Sequence, residues 1–319
     1  MKLVLLERES VGLDIDVSRY QNFGELTEYA NTVTKQEVRE RVASADIIIA
    51  NKAPMTEETL SQAPNVRLIC NFATGYDNID LDYCSSRKIT VTNIQNYATV
   101  AVAQHTFAMA LYVLEHLHYY DNYVKSGAYS AQGRFSNFHM PFTELDKKVW
   151  GIAGMGNIGK KVAEIASAFG CQVIFYATSG YSSCTNYKRV DFETLLQESD
   201  FISLRCPLTD KTRNMMDAKA FSNMKSTAIL LNVARGAVVN STDLYHALLK
   251  NKIAGAGLDV LDYEPIRSDN PLSEFQDSNR LLITPHMAWA STEARERCVA
   301  EVYDNIKAYL EGNPIHVVS

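Results

Sequence analysis

The sequence predicts an α/β protein made of two doubly wound parallel-sheet domains, and three observations carry that reading. Short apolar, β-rich runs alternate with helical patterns along the whole chain. Those runs are apolar on both faces, as strands covered by helices on either side must be. The length of 319 residues exceeds what one ordinary core organises and suits two.

The early strands are expected over residues 2–7, 45–51, 66–73 and 89–94. The later ones are expected over 148–153, 171–177, 200–206, 227–233, 253–260 and 281–284. Between the two groups, the spacing predicts one long helix over about 100–124, rich in Ala, Leu, His and Tyr. A final helix over about 291–311 has no further strand to feed, so it is free to return to the first domain. No heptad, solenoid repeat or low-complexity tract interrupts the pattern.

Composition excludes several function classes. The formal charge of −6 and the lack of any basic run argue against a phosphate-backbone binder, so no nucleic-acid partner is expected. The opening apolar stretch meets Glu7 and Arg8 too soon for a signal core or a membrane helix. The six cysteines, Cys70, Cys84, Cys171, Cys184, Cys206 and Cys298, form no close pair. Neither a metal cluster nor a disulfide framework is expected, and a cytoplasmic location with no membrane partner fits.

The strongest local motif is Gly154-Met155-Gly156-Asn157-Ile158-Gly159. A bare glycine triplet is weak evidence, because turns collect glycine. Here an expected strand precedes it, and a helix pattern follows with Ile158, Val162, Ile165, Ala166 and Phe169 on one face. Gly154 would allow the tight turn, Gly156 the approach of a pyrophosphate, and Gly159 close helix–strand packing. The free N–H groups and dipole of the helix start would hold the phosphates. The larger domain is therefore read as a Rossmann dinucleotide-binding domain with NAD or NADP as cofactor and no metal.

Coenzyme preference should be set at the end of the next strand, where an acidic residue would hold a ribose 2′-hydroxyl. That place reads Tyr176-Ala177-Thr178-Ser179 and carries no acid. Nothing there repels a 2′-phosphate, and the Thr178 and Ser179 hydroxyls can bond to one. No arginine follows at once, since Lys188 and Arg189 come several residues later. The reading leans towards NADPH or dual use.

In open α/β sheets ligands bind beyond the carboxyl ends of the strands. Three ionisable residues fall there: Arg235 after 227–233, Glu264 in the loop after 253–260, and His286 after 281–284. Carbonyl reduction needs these types. Negative charge grows on the oxygen as hydride arrives, and a histidine serves as proton donor in one direction and acceptor in the other. A carboxylate beside it favours the charged imidazole. A guanidinium holds a substrate carboxylate in a planar two-point contact. Each residue alone has a bland reading, as loop histidine, surface ion pair or turn former; their joint placement favours His286 as acid/base, Glu264 as its partner and Arg235 as anchor. His116, His118, His139, His246 and His316 are read as structural, whereas His105 is the other histidine singled out.

With these motifs together, the chain resembles the D-isomer-specific 2-hydroxyacid dehydrogenases over nearly its whole length. The resemblance rests on residues 73–80 (ATGYDNID), the glycine loop, residues 232–236 (NVARG), Gly257-Leu258-Asp259-Val260 through Glu264-Pro265, and Thr284-Pro285-His286. It implies a smaller, flavodoxin-like substrate domain of residues 1–97 plus 290–319, with the cofactor domain of 98–289 inserted between. It also implies that Thr74 and Gly75 amides bind the substrate carboxylate while Tyr76 closes the pocket. Val233, Cys206, Pro207 and Thr212 would lie along the cofactor, Asp259 on its nicotinamide side, and a homodimer would form through the cofactor domain.

Asn51-Lys52, Gln104-His105 and residues 285–289 (PHMAW) are most similar to the glycerate dehydrogenase/hydroxypyruvate reductase branch, with Trp289 either shaping a pocket wall or packing as core. The expected reaction is hydride transfer between NAD(P)H and a small 2-keto acid of the glyoxylate or hydroxypyruvate type, giving the D-2-hydroxy acid. A nicotinamide-sensing regulatory protein on the same fold is the alternative.

Overall fold

Twelve strands form two sheets, and every strand-to-strand pairing within them is parallel. The computed structural model describes all residues, 1–319. The strands are β1 (Lys2–Leu5), β2 (Glu25–Glu28), β3 (Ile47–Ala50), β4 (Leu68–Asn71), β5 (Thr90–Thr92), β6 (Val149–Ala153), β7 (Gln172–Tyr176), β8 (Lys188–Arg189), β9 (Phe201–Leu204), β10 (Ile229–Asn232), β11 (Gly255–Leu258) and β12 (Leu281–Ile283). The helices are α1 (Lys35–Val42), α2 (Glu57–Leu60), α3 (Leu81–Ser86), α4 (Thr99–Leu114), α5 (Leu117–Lys125), α6 (Ala128–Gln132), α7 (Asn157–Ala168), α8 (Phe192–Glu198), α9 (Ala218–Asn223), α10 (Ser241–Leu249) and α11 (Thr292–Leu310).

The chain divides into one unit of Met1–Ala98 with Ala290–Ser319 and another of Thr99–Trp289. In the first, the sheet order is β2-β1-β3-β4-β5, the flavodoxin-like winding. Strands β3 and β4, IIIA and LICN, are buried at every position, so both faces need cover. One face is covered in part by α1, through Val38 and Val42. The other receives Cys298, Val299, Val302 and Ile306 of α11. That helix starts at Ser291, whose side chain accepts from the Ala294 amide as an N-cap. Its Arg295 donates to both carboxylate oxygens of Asp14, at 2.6 and 2.8 Å.

In the second unit the order is β12-β11-β10-β9-β6-β7-β8, the Rossmann order extended by one strand. Helices α8, α9 and α10 cover one face, while α4 and α7 cover the other. Trp150 of β6 is fully buried, stacked between Phe107 and Phe201 at centroid distances of 4.6 and 4.9 Å. Its indole N–H donates to the Ser203 hydroxyl, so the polar handle of a core tryptophan is satisfied. Helix α4 lies unusually close to β11 because that strand presents Gly255 and Gly257. A Cβ at these positions would stand 2.6 Å from Val113 and 3.0 Å from Met109.

Two expectations need correction. The single helix expected over 100–124 is two: α4 ends at Leu114, and His116 takes a left-handed backbone (φ 51°, ψ 43°) before α5 begins. A single residue with that backbone breaks the right-handed ladder. Strands β2 and β8 were absent from the expected set, since both are polar edge strands with mostly exposed residues. No helix is long and apolar enough to cross a membrane.

Candidate active site

The three strand-end residues stand on neighbouring strands of the second sheet, β10, β11 and β12, whose last residues pair as Asn232 with Leu258 and Leu258 with Ile283. Beyond β10 the Asn232 side chain holds the turn from both ends. It accepts from the Ala234 amide and donates to the Arg235 carbonyl, each at 3.0 Å. Gly236 then runs against the Leu261–Asp262 backbone so closely that a Cβ would sit 1.8 Å from the Leu261 carbonyl. A glycine is required there. The Arg235 guanidinium is half-buried and donates to the Ala234 carbonyl at 2.9 Å.

Beyond β11, Glu264 uses its two oxygens differently. Oε1 accepts from the Leu261 amide at 3.0 Å. Oε2 lies 2.6 Å from Nδ1 of His286. This leaves the imidazole Nε2 as the ring nitrogen facing away from the carboxylate. His286 itself has a positive φ of 56°, a backbone that costs a residue with a Cβ about 1–3 kcal/mol and persists only when its surroundings impose it.

Asp259 is the group that imposes it. Its carboxylate, 2% exposed, accepts from the Thr284 hydroxyl at 2.6 Å, the Met287 amide at 2.7 Å and the Ala288 amide at 2.8 Å. Its backbone carbonyl accepts from the His286 amide at 2.8 Å. The buried charge is therefore hydrogen-bonded on both oxygens, as burial demands. Arg205, at the end of β9, supplies an opposing positive charge. Burial pulls its guanidinium towards the neutral form, and the Asp259 carboxylate works against that shift. Arg205 also donates to the Thr106 hydroxyl of α4 and, at 3.0 Å, to the Leu204 carbonyl. Sequence reasoning missed Arg205; its only signal was an arginine directly after an apolar strand.

The glycine loop makes the tight turn from β6 into α7. Gly154 has φ 104° and abuts the Arg205 backbone. Gly156, the residue before α7, has open space where a Cβ would stand, and Gly159 presses on the Gly154 carbonyl with a hypothetical Cβ 2.4 Å away. Gly156 and Asn157 are exposed, whereas the Met155 side chain is buried in the core, so only its backbone faces the loop. Ile158 packs beside the same core.

After β7, Ala177 is buried, Thr178 half-buried and Ser179 exposed. Parallel pairing of β8 with β7 brings Arg189 back to this loop, where it donates to the Gly180 carbonyl at 2.7 Å. Cys206 is buried, which pushes its thiol up to about 11 and makes it a poor nucleophile. Pro207 is exposed. The Thr212 hydroxyl donates to the Pro207 carbonyl at 2.7 Å and so shapes that loop. Val233 and Trp289 are half-buried.

In the first unit, Thr74, Gly75 and Tyr76 follow β4. The Thr74 hydroxyl donates to the Ile94 carbonyl at 2.7 Å, and the Asn71 side chain donates to the Gly75 carbonyl at 2.7 Å. Tyr76 is 38% exposed. The Asn51-Lys52 pair is held by Glu7, whose buried carboxylate accepts from both amides.

The fold and loop define a dinucleotide-binding α/β protein with a hydrogen-bonded histidine–glutamate pair at its strand ends. Residues 107–288 match the family "D-isomer specific 2-hydroxyacid dehydrogenase, NAD binding domain". The chain is 38% identical over 317 residues to a glycerate dehydrogenase of Methylorubrum extorquens, covering 99% of this chain and 98% of that one. It is 34% identical to a hydroxypyruvate reductase of Blautia hydrogenotrophica, with both chains covered in full. Among solved structures, an acyclic imino acid reductase in complex with NADPH and D-Arg superposes with a TM-score of 0.88 at 31% identity, again over 100% of each chain. The chain belongs to the D-isomer-specific 2-hydroxyacid dehydrogenase family. It is an NAD(P)-dependent oxidoreductase acting on 2-keto and 2-hydroxy acids.

Proposed function

We propose that the enzyme reduces glyoxylate or hydroxypyruvate to the corresponding 2-hydroxy acid, with His286 as acid/base, Glu264 as its partner and Arg235 as substrate anchor. The observation that carries the roles is the 2.6 Å contact between His286 Nδ1 and Glu264 Oε2 at the strand ends that also bear Arg235. The substrate class is supported by the glycerate dehydrogenase and hydroxypyruvate reductase names of the relatives.

A bound reduced nicotinamide supplies the hydride. The residues do the rest. Arg235 takes the substrate carboxylate in a bidentate contact and leaves the keto carbon correctly presented. As charge builds on the keto oxygen, His286 gives up a proton to it; in the reverse direction the same nitrogen takes the proton from the hydroxyl. Glu264 holds the ring in one orientation and stabilises its charged form. The backbone amides of Thr74 and Gly75 are assigned to the substrate carboxylate and Tyr76 to closing the pocket.

For the cofactor, the exposed start of α7 and the open space at Gly156 suit a pyrophosphate. We assign NADPH as the preferred coenzyme. The loop 177–180 has no acid, and the Arg189 guanidinium reaches it. The NADPH carried by the imino acid reductase is consistent with this assignment.

We assign a homodimer built on the segment from α5 to Phe142. Helices α5 and α6 bury none of their residues, and Phe135, Phe138 and Phe142 are 94, 85 and 54% exposed. Apolar surface of this kind marks an interface; sedimentation at the mass of one chain counts against it. All six cysteines are free, which suits the cytoplasm.

The experiment is a parallel assay of glyoxylate, hydroxypyruvate, pyruvate and a branched 2-keto acid, each with NADH and NADPH, read as loss of reduced-cofactor absorbance. Fastest turnover is expected with one of the first two and NADPH. A branched keto acid as the best substrate overturns the substrate assignment.

A further inference from the structure

His105 of α4 has no part in the chemistry just described, yet its imidazole reaches Thr284 and Asp259 beside the site. Its Nε2 lies 3.0 Å from the Thr284 hydroxyl oxygen and 3.6 Å from Oδ1 of Asp259. The second distance is too long for a hydrogen bond. The Thr284 hydroxyl has a single proton, and it is committed to Asp259 Oδ1 at 2.6 Å. Towards His105 the hydroxyl therefore accepts, and the network assigns the His105 proton to Nε2.

We propose that His105 is a positioning residue for the reaction: through the Thr284 hydroxyl and the Asp259 carboxylate it fixes the backbone turn that carries His286. This rests on the reading of His286 as the acid/base. The chain of contacts is continuous. The N–H of His105 forbids the Thr284 hydroxyl from turning its proton towards α4, so that proton points at Asp259. Asp259 in turn holds the amides of Met287 and Ala288 through its side chain and that of His286 through its carbonyl.

The turn so held contains the one residue of the trio with a left-handed backbone, His286 at φ 56°. Such a residue stays in place only while its neighbours over-determine it. Arg205 also faces Asp259; it approaches from β9 and is tied to Thr106, the next residue of α4. Helix α4 thus addresses the Asp259 carboxylate with two consecutive residues. The seat of that helix on Gly255 and Gly257 sets the height of both.

Two substitutions separate the hydrogen bond from the bulk of the ring. His105→Phe keeps an aromatic ring and removes the donor, whereas His105→Gln offers an amide N–H near the Nε2 position. We expect His105→Phe to lower kcat about tenfold, the order of loss that follows from a small misplacement of a catalytic group. The KM for the keto acid, the melting temperature and the NADPH dissociation constant from fluorescence titration should stay near those of the parent. His105→Gln should recover most of the rate.

Parent-like turnover of His105→Phe overturns the proposal, as does an equal loss in both variants, which would make ring packing the cause. If His105→Phe does not fold, Thr284→Val removes the relay hydroxyl instead, and its parent-like kcat is equally fatal. His286→Ala run alongside separates the two readings. If it retains turnover, the acid/base assignment falls and this proposal with it. If it is inactive while His105→Phe is unaltered, only the present proposal falls.

Discussion

The Nδ1 atom of His286 and the Oε2 atom of Glu264 are 2.6 Å apart, and the other oxygen of Glu264 is occupied by the Leu261 amide. The carboxylate is thereby fixed in direction before it meets the imidazole. His286→Ala is expected to lower kcat by about 10²- to 10⁴-fold, the contribution usual for a positioned acid/base. Glu264→Gln should cost less, because the ring keeps a hydrogen-bond partner and loses only the charge. Steady-state kinetics with hydroxypyruvate and NADPH decide the matter, and a Glu264→Gln loss larger than that of His286→Ala contradicts the order of roles.

Arg235→Lys keeps the charge and loses the fork. The ammonium makes one contact where the guanidinium makes two. A rise of about tenfold or more in the KM for the keto acid is expected, on the order of one charged hydrogen bond. Cofactor affinity should not move. An unchanged KM would remove Arg235 from the role of anchor.

Arg189→Leu tests the coenzyme assignment by binding alone. A charge-assisted contact to a 2′-phosphate contributes about 1.5–3 kcal/mol, so the dissociation constant for NADPH should rise about tenfold or more while that for NADH stays put. Titration calorimetry with both coenzymes reads this without turnover. Equal weakening of both would mean that Arg189 merely supports the loop after β7.

The pair Asp14 and Arg295 predicts a pH dependence within the first unit. The hydrogen bond from Arg295 holds the Asp14 carboxyl below its usual 3.8. A depressed carboxylate binds its proton more weakly when folded, so its stabilisation is present above 3.8 and is lost as the pH falls through the lower folded value. Thermal melts of the parent and Asp14→Asn should differ near neutral pH and converge in strong acid. A difference that persists undiminished into strong acid would rule out the ion pair as its source.

What could be read from the sequence followed from signals confined to single segments. The Gly154–Gly159 loop, its flanking strand and its helix declare themselves by spacing. Arg235, Glu264 and His286 are found by one topological rule, which needs only strand ends. The break at His116 was hidden because no glycine or proline marks it, and a left-handed histidine leaves no trace in apolar periodicity. The edge strands β2 and β8 escaped because a strand open to solvent needs no apolar face. The Arg205–Thr106 and His105–Thr284–Asp259 contacts join β9, β11, β12 and α4, residues far apart in the chain, so no local pattern encodes them.

Residues of α11 complete the hydrophobic interior of a unit whose other strands and helices all precede Ala98. During synthesis the ribosome must therefore pass the whole of Thr99–Trp289 and deliver α11 before that interior can close, whereas Thr99–Trp289 has all its own strands before α11. The amino-terminal portion should emerge first yet mature last, a reversal of the usual vectorial order, and nascent chains stalled before Thr292 should leave it open to protease.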